Sequence, residues 1–353
     1  TLPKTVPAVT VSRACATANQ SIADAANLIE RGYADVVVAG GSESLTHIPI
    51  TIKQALAEKL IGVSKAKTLG ARLGTLAKIR PKDLVPNFPQ IAEPTTGESM
   101  GESAERMAKE NGITRADQDA WALRSHQLAA AGTQDGRLTA EIGPVYVPPG
   151  FETVAQTDNG IRSDTSEEAL AKLRPVFDRQ HGSVTAGNAS PLTDGASAVL
   201  MMSEERAKAD GLEPMGFVRS YAFSGLDPGG QLLQGPAYAA PMALERAGIT
   251  MADIGLMEMH EAFAAQVLSN LQALSSQKFA EEELGRSQAV GHPDLDVINV
   301  MGGSIAIGHP FGATGGRITT TLLNEMKRRD VELGLITVCA AGGLGFAMVV
   351  ERG

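Results

Sequence analysis

Two segments, one near each end of the chain, follow the same order of strand, helix and strand. The first spans residues 7–45, with a strand at PAVTVS, an alanine-rich helix at ACATANQSIADAANLIERG and a closing strand at ADVVVAGGSES. The second runs from DVINVMGGSIAIGHP through the helical GATGGRITTTLLNEMKRR to LGLITVCAAGG. Both closing strands are apolar, β-branched runs, which is typical of strands in a parallel sheet covered on both faces. The repeat predicts a duplicated α/β fold whose two loops meet at one cleft if the halves are related by a pseudo-twofold axis.

Composition and charge narrow the class of protein. The 353 residues are 43% hydrophobic and 20% charged, which fits a globular chain of roughly two domains. A net charge of −9 argues against nucleic-acid binding, because no overall basic field is present to attract phosphates. The uncharged run LGLITVCAAGGLGFAMVV raises the question of a membrane span, but its four glycines favour a strand, a turn and a second strand.

A basic segment interrupts this acidic chain at residues 51–95. Between Lys53 and Lys82 it carries eight lysines and arginines but one glutamate, in an amphipathic helical pattern. A solvated helical face is one interpretation. Contact with a membrane surface, a partner protein or an anionic ligand is the other.

The chain has two cysteines, Cys15 and Cys339. They provide neither a disulfide framework nor a metal-binding CxxC spacing, which favours a reducing compartment. Cys15 lies in ACATANQS at the start of a predicted helix, where unpaired backbone N–H groups favour a thiolate and can bind an oxyanion. A packed hydrophobe and a nucleophile are both compatible with this position. Cys339 ends a β-branched strand, a position common to catalytic and core residues.

Two histidines occur in the tripeptide GHP. His309 lies in GGSIAIGHPFGATGG, where the density of glycines lets the backbone approach a ligand closely. His292 lies in AVGHPDLD, which has acidic neighbours and no run of glycines, and we interpret it as part of a surface turn. His309 is the better candidate for chemistry, with a structural loop histidine as the alternative.

Six segments in this order resemble the thiolase family: VSRACAT, GGSES, TAGNASPLTDGA, HEAFAAQ, GGSIAIGHPFGATGGR and CAAGGLG. The chain is most similar to the branch that forms the β subunit of fatty-acid oxidation trifunctional complexes. The resemblance implies an α/β fold of duplicated thiolase domains with mixed central sheets, layers of helices and an inserted helical loop region. It implies an N-terminal domain at residues 1–50 and 96–210, the insert at 51–95 and a C-terminal domain at 211–353.

The resemblance also implies the catalytic residues. Cys15 matches the acylated nucleophile, His309 the base that activates it, and Cys339 a second acid/base cysteine. His260, the first residue of HEAFA, replaces an asparagine that usually holds an oxyanion-hole water, and whether it holds that water or contacts the thioester oxygen stays open. The backbone N–H of Cys15 is implied to form the other oxyanion hole with that of Ala341, where the family usually has glycine.

Substrate contacts are implied in the same way. Ser190 in GNASP and Met100 in SMGES match residues that contact the pantetheine arm of coenzyme A. Arg162 lies near the position expected for the phosphates of coenzyme A, and Phe263 matches a residue that lines the acyl pocket. Coenzyme A is then a co-substrate, and we expect no metal and no permanently bound cofactor.

The implied activity is thiolytic cleavage of a 3-ketoacyl-CoA of medium or long chain in fatty-acid β-oxidation. A thiolate suits this reaction because it is both a strong nucleophile and a good leaving group. Claisen condensation in the biosynthetic direction is one alternative, and a catalytically silent structural subunit is the other.

The resemblance further implies a homodimer and a partner α subunit with hydratase and dehydrogenase activities. We expect residues 51–95 to contact that partner or a membrane surface, and we expect no nucleic-acid partner. A bacterial cytoplasm is the favoured location, with a mitochondrial matrix as the alternative. Thiolases carry further strands and helices before the nucleophile, so we expect at least one βαβ unit of about 30 or more residues to be absent from this sequence.

Overall fold

The computed structural model describes residues 3–87 and 91–353. The chain forms two compact units: Thr1–Glu43 with Ala92–Gly353, and Ser44–Ile91. The smaller unit overlaps the predicted insert, of which residues 88–90 lie outside the described residues. The predicted boundary between two thiolase-like domains at residue 210 falls inside the larger unit and stays a prediction.

The strands of the described residues form three sheets. They are β1 (Val36–Glu43), β2 (Val145–Tyr146), β3 (Val154–Ala155), β4 (Gly195–Met202), β5 (Gly216–Gly225), β6 (Leu256–Met259), β7 (Leu333–Ala340) and β8 (Leu344–Arg352). β1 pairs antiparallel with β4, and β2 with β3. The third sheet has the order β5-β8-β7-β6, with β6 and β7 parallel and the other pairs antiparallel. The predicted α/β class with mixed sheets is confirmed.

The described residues also form twelve α-helices, of which the second and third belong to the smaller unit. They are α1 (Thr17–Glu30), α2 (Gln54–Lys65), α3 (Leu69–Leu76), α4 (Met100–Glu110), α5 (Arg115–Gln134), α6 (Glu167–Ala171), α7 (Glu204–Ala209), α8 (Gly235–Ala247), α9 (Ala264–Leu274), α10 (Gln277–Glu282), α11 (Ser304–Ile307) and α12 (Phe311–Arg329). Ser99 and Thr114 cap α4 and α5. Each forms a reciprocal capping box, with Glu102 and Asp117 respectively, which explains where these helices begin.

The four-stranded sheet lies at the centre of the core. Its strands β6, β7 and β8 are almost wholly buried. Leu335 and Val349 face one apolar cluster, which includes residues of α8 and α9. Ile336 and Val338 face the opposite cluster, which includes residues of α1 and α12. The prediction that LGLITVCAAGG is a strand covered on both faces is therefore confirmed.

The uncharged run at residues 333–350 consists of β7, a tight turn and β8, as predicted. The turn contains Gly342 and Gly343, both with the left-handed φ (86° and 68°) that glycine adopts without a steric cost. Across residues 3–87 and 91–353, no helix is both long enough and apolar enough to cross a membrane.

The N-terminal sheet differs from the prediction of a parallel sheet covered on both faces. β1 pairs antiparallel with β4, and one face of the pair is open. Val38 and its cross-strand partner Leu200 are each 59% exposed. The prediction is wrong here because a β-branched run reflects a preference for pleated backbone, which fixes neither strand direction nor burial.

The predictions of two other strands are also wrong. PAVTVS, at residues 7–12, forms no strand: Val9 is 83% exposed, and the segment pairs with no strand among the described residues. DVINVMGG, at residues 296–303, forms the end of a 3-10 turn and isolated bridges, including one between Ile298 and Met257. A strand needs a backbone partner along its length, and an apolar sequence does not supply one.

The smaller unit contains α2, α3 and a 3-10 turn at Pro81–Asp83. Lys59 on α2 forms an ion pair with Asp83. The two helices expose several large apolar side chains, namely Leu60, Ile61, Leu69, Leu73 and Leu76. The predicted amphipathic helices are therefore present, with apolar as well as basic groups at the surface.

Candidate active site

Cys15 lies in a 3-10 turn, Ala14–Ala16, that leads directly into α1. Ala14 has a φ of 45°, a left-handed conformation that is unfavourable for a residue with a Cβ. Thr17 supports this conformation, because its Oγ1 accepts from the Arg13 N–H (2.9 Å) and donates to the Ala14 carbonyl (2.7 Å). The backbone around the cysteine is thus fixed by a local hydrogen-bond pair.

The thiol of Cys15 is protonated at rest. Burial raises its pKa to about 11, and the carboxylate of Glu43 adds to the rise. Hydrogen bonds from the backbone N–H groups of Ala341 and of Cys15 itself oppose the rise in part. The backbone N–H groups at the helix start act in the expected direction, but desolvation outweighs them. Cys15 and Cys339 are both free thiols.

His309 lies in the loop between α11 and α12, and its ring is oriented by Thr314. His309 Nδ1 is 2.7 Å from Thr314 Oγ1, whose hydroxyl donates to the Pro310 carbonyl (3.1 Å). Because that hydroxyl has one proton, Nδ1 of His309 must be the donor and Nε2 carries the lone pair. Burial, followed by the positive charge of Arg317, lowers the pKa of His309 to about 3. The imidazole is thus a neutral base with its lone pair on Nε2.

His260 follows β6, where its backbone N–H donates to the Thr337 carbonyl of β7 (2.9 Å). Its Nδ1 is 3.0 Å from Ser304 Oγ, and its Nε2 is 3.2 Å from Nε2 of His309. Since His309 Nε2 carries a lone pair, the proton between the two rings belongs to His260. Burial lowers the pKa of His260 well below its ordinary value, and the neighbouring His309 and Arg317 act in the same direction.

These groups converge although they come from opposite ends of the sequence. The Sγ of Cys15 and ring nitrogens of His260 and His309 all lie within 4.8 Å of one another. Cys339, which is 1% exposed at the end of β7, is close enough to Cys15 for their interaction to raise the pKa of Cys339 further. One site therefore contains a thiol, a neutral base, an imidazole N–H and a second thiol.

The donor atoms of Cys15, His260 and His309 also have a spacing that a transition metal such as zinc accepts. Two observations favour a hydrogen-bonded set instead. The two Nε2 atoms already share a proton, and a thiol with a pKa of about 11 gives up its proton to a metal at a cost. The expectation of a reaction without a metal stays a prediction.

Three of the four predicted substrate-binding residues lie in the region of Cys339. Phe263 and Met100 pack against the apolar cluster that includes Cys339. Ser190 donates its backbone N–H to the carbonyl of Ala262, directly before Phe263 (2.9 Å). These positions place an apolar wall next to the second thiol.

Arg162, the fourth predicted residue, is exposed. Its backbone N–H donates to His126 Nδ1 (3.2 Å), and its neighbour Ile161 packs against the apolar cluster that Cys15 also contacts. Contact between its guanidinium and the phosphates of coenzyme A stays a prediction.

Sequence reasoning missed the polar residues behind the two imidazoles. Ser304, Thr314 and Arg317 all lie in GGSIAIGHPFGATGGR, a segment interpreted only through His309 and its glycines. Glu43 was missed as well, and its carboxylate accepts from the Gly312 N–H at the start of α12 (3.1 Å). The available signal was the presence of hydroxyl and guanidinium groups in a segment predicted to be buried, since such groups need partners there.

The site combines a thiol nucleophile, a neutral imidazole base and a second thiol. These are the groups that an enzyme needs to form an acyl intermediate on cysteine. The chain belongs to the thiolase family. Sequence profiles of the thiolase N-terminal domain and the thiolase C-terminal domain match residues 1–205 and 212–352. A 3-ketoacyl-CoA thiolase of Yersinia enterocolitica is 55% identical over 344 residues, which cover 98% of this chain and 79% of the relative.

Solved structures agree with this assignment. Human mitochondrial 3-ketoacyl-CoA thiolase in complex with CoA matches with a TM-score of 0.81 at 31% identity, over 99% of this chain and 79% of that one. The acetyl-CoA acetyltransferase of Bacillus anthracis matches with a TM-score of 0.82 at 35% identity, over 99% of this chain and 80% of that one. The family resemblance is confirmed, and the chain spans about four fifths of the length of these relatives.

Proposed function

We propose that this protein is an acyltransferase that cleaves 3-ketoacyl-CoA with coenzyme A during fatty-acid β-oxidation. The products are acetyl-CoA and an acyl-CoA shortened by two carbons. The observation that carries the proposal is the convergence of Cys15, His260 and His309 within 4.8 Å, beside the free thiol of Cys339. The identity of 55% to a 3-ketoacyl-CoA thiolase supports the choice of reaction.

In the first step, the sulfur of Cys15 attacks the keto carbon while its proton passes to Nε2 of His309. The thiol begins protonated and the imidazole neutral, so charge develops only as the S–C bond forms. The resulting alkoxide collapses and breaks the Cα–Cβ bond. The acyl group then remains on Cys15, and the enolate of acetyl-CoA departs.

His260 supplies a direct donor to the thioester oxygen of that enolate. At rest its Nε2–H points to Nε2 of His309, 3.2 Å away. Once His309 has accepted the proton of Cys15, both Nε2 atoms carry a hydrogen, and two N–H groups from adjacent rings are available to one oxygen. Of the two roles left open for His260, we therefore favour direct contact over water binding.

The backbone N–H groups of Cys15 and Ala341 supply the donors for the alkoxide at the reacting carbon. Both interact with the Cys15 sulfur, so both lie beside the bond that this sulfur forms. Cys339 gives its proton to the enolate carbon, and its thiolate then removes the proton of coenzyme A. The coenzyme A sulfur attacks the acyl-enzyme, and the Cys15 thiolate recovers its proton from His309.

Four residues form the proposed substrate contacts. Phe263 packs edge-on against Phe177, with ring centroids 6.2 Å apart, and supplies an apolar surface for the acyl chain. Ser190 and Met100 contact the pantetheine arm. Arg162, exposed at the surface, binds the phosphates of coenzyme A.

The replacement of Cys15 by alanine tests the nucleophile. After incubation with a 3-ketoacyl-CoA, the intact mass of the wild-type protein should increase by one acyl group, whereas Cys15→Ala should show no increase and still bind coenzyme A. Cys339→Ala is the matched control: it keeps the nucleophile and should form the acyl-enzyme slowly. Normal thiolysis by Cys15→Ala would show that the nucleophile is assigned wrongly.

Two alternatives are distinguished by related measurements. The biosynthetic direction is represented by the Bacillus anthracis acetyl-CoA acetyltransferase, at 35% identity against 55% for the Yersinia relative. Faster thiolysis of a four-carbon than of a sixteen-carbon 3-ketoacyl-CoA would favour that alternative. A wild-type protein that never forms an acyl-enzyme would favour the silent structural subunit.

The surface of the smaller unit supports a finer proposal about partners. Its helices α2 and α3 expose four leucines and one isoleucine beside the lysines of this basic segment. Such a surface suits a lipid headgroup layer or the hydratase/dehydrogenase α subunit. We further propose a homodimer located in a bacterial cytoplasm.

Substitution on α3 tests this surface. Leu69→Asp with Leu73→Asp should reduce both flotation with anionic vesicles and co-purification with the α subunit, because both leucines are more than half exposed. Leu212→Asp, at a leucine of the larger unit that is 48% exposed, is the control. If the α3 double variant and the control behave alike in both assays, residues 51–95 are not the contact surface.

A further inference from the structure

We infer that Ser304 and Arg317 are positioning residues that hold the His260 ring through Nδ1, so that the proton on Nε2 serves as the oxyanion donor. Neither residue has a role in the proposed mechanism so far. The inference rests on the proposed function, because it explains how one of its donors is oriented.

The direction of each hydrogen bond in this part of the site follows from its neighbours. Arg317 Nη2 is 2.9 Å from Ser304 Oγ, and a guanidinium can only donate, so Ser304 accepts here. The one proton of Ser304 is then free for Nδ1 of His260, at 3.0 Å. When Ser304 donates to Nδ1, His260 carries its own proton on Nε2, which faces Nε2 of His309 at 3.2 Å.

The hydrogen bonds of His309 lead to the same tautomer of His260. Thr314 donates its hydroxyl proton to the Pro310 carbonyl, so His309 Nδ1 donates to Thr314 and His309 Nε2 accepts. With the other tautomer of His260, two lone pairs would face each other at 3.2 Å, and the buried proton of Ser304 would have no acceptor in this network. A single assignment of donors and acceptors satisfies all five hydrogen bonds of the series that runs from Arg317 to Pro310.

Because these groups are buried, each hydrogen bond must be made within the protein. Ser304 and Thr314 are 0% exposed, His260 1% and His309 3%, so water cannot replace a lost partner. In the described part of the chain, Nε and Nη1 of Arg317 have no hydrogen-bond partner, and neither has Oε2 of the 2% exposed Glu258. The electrostatic partners of Arg317 include Glu258, Glu141 and Asp158. Ser304 is the partner that links its charge to the imidazoles.

The loss of the Ser304 hydroxyl should release this constraint. His260 Nδ1 would lose its donor, and the ring could then rotate, which moves the Nε2–H away from the oxyanion position; the proton itself stays on Nε2, because Nε2 of His309 is its remaining acceptor. Because Ser304 is proposed to act through His260 and not on the substrate, kcat should fall while KM changes little. We expect a loss of about 10- to 100-fold in kcat, less than removal of an oxyanion donor itself causes.

The test measures the hydrogen bond to His260 Nδ1 and the rate together. In protein labelled with 15N-histidine, long-range 1H–15N spectra should show His260 protonated on Nε2 throughout, with its Nδ1 resonance unchanged in Ser304→Thr and shifted downfield in Ser304→Ala, which lacks the hydrogen bond to Nδ1. Arg317→Met should shift the Nδ1 resonance in the same direction but less, because the Ser304 hydroxyl is then no longer held toward His260. Ser269→Ala, which removes a 1% exposed hydroxyl that has no hydrogen-bond partner in the described residues, is the matched control and should change neither readout.

A Ser304→Ala protein that keeps the wild-type Nδ1 resonance of His260, or that keeps the wild-type kcat, would overturn the inference. If Ser304→Ala does not fold, the Nδ1 resonance and kcat of Arg317→Met decide the matter in the same way. Failure of the proposed function has a different signature: the wild-type protein then forms no acyl-enzyme, whatever its tautomer.

Discussion

Strands β1 and β7 belong to different sheets, and they have similar sequence patterns but different degrees of burial. β7 is buried along seven of its eight residues and packs between helices on both faces. β1 resembles it in sequence, but it pairs with β4 alone and leaves Val38 59% exposed. The comparison shows that a β-branched strand ending in glycines fixes backbone shape, whereas neighbouring elements decide burial.

The same contrast separates the catalytic groups. The C-terminal sheet and its loops supply His260, His309 and Cys339, all at most 3% exposed. The N-terminal part supplies Cys15, whose thiol is desolvated although the residue as a whole is half-buried in its 3-10 turn. The fully buried half holds the proton-transfer groups in fixed orientations, and the more open half presents the nucleophile.

The largest expected effect tests whether the buried half supplies the base. His309→Ala should lower kcat by about 10²–10⁴-fold, the usual contribution of a general base. His292→Ala is the control, because His292 lies in the other GHP and is exposed, with Nδ1 2.8 Å from Ser275 Oγ. Steady-state thiolysis measures both, and equal effects would remove the distinction between the two histidines.

A smaller effect is expected when the same substitution, valine to alanine, is made in β7 and in β1 and the stability of the two variants is compared. Val338→Ala in β7, where the side chain is 0% exposed, should lower the free energy of unfolding by about 2 kcal/mol. Val38→Ala in β1 should change it by less than about 0.5 kcal/mol. Urea unfolding measures both values, and similar losses would mean that β1 is buried in solution.

The last prediction concerns the pH dependence of Cys15. Because its pKa is raised to about 11, the thiolate fraction should rise about tenfold per pH unit between pH 7 and 9. The rate of Cys15 alkylation by iodoacetamide, followed by peptide mass spectrometry, should rise in parallel. A rate that levels off near pH 8 would indicate an ordinary or depressed thiol pKa.

Much of the catalytic set could be predicted from sequence, because it lies in short segments with strong local constraints. The helix after Cys15, the strand before Cys339 and the glycine-rich loop around His309 each have a pattern that local rules describe. The parallel N-terminal sheet and the strands at residues 7–12 and 296–303 were predicted wrongly. In these cases the outcome depends on pairing partners far away in sequence.

The sequence by itself determined which reactive groups the chain contains, their order, and the family whose chemistry they fit. The tertiary structure decided their protonation and their mutual geometry: Cys15 is a thiol, His309 a neutral base, and His260 a donor held by Ser304. The physical reason is that pKa and hydrogen-bond direction depend on burial and on partners brought together by folding. In this site those partners come from residues separated by most of the length of the chain.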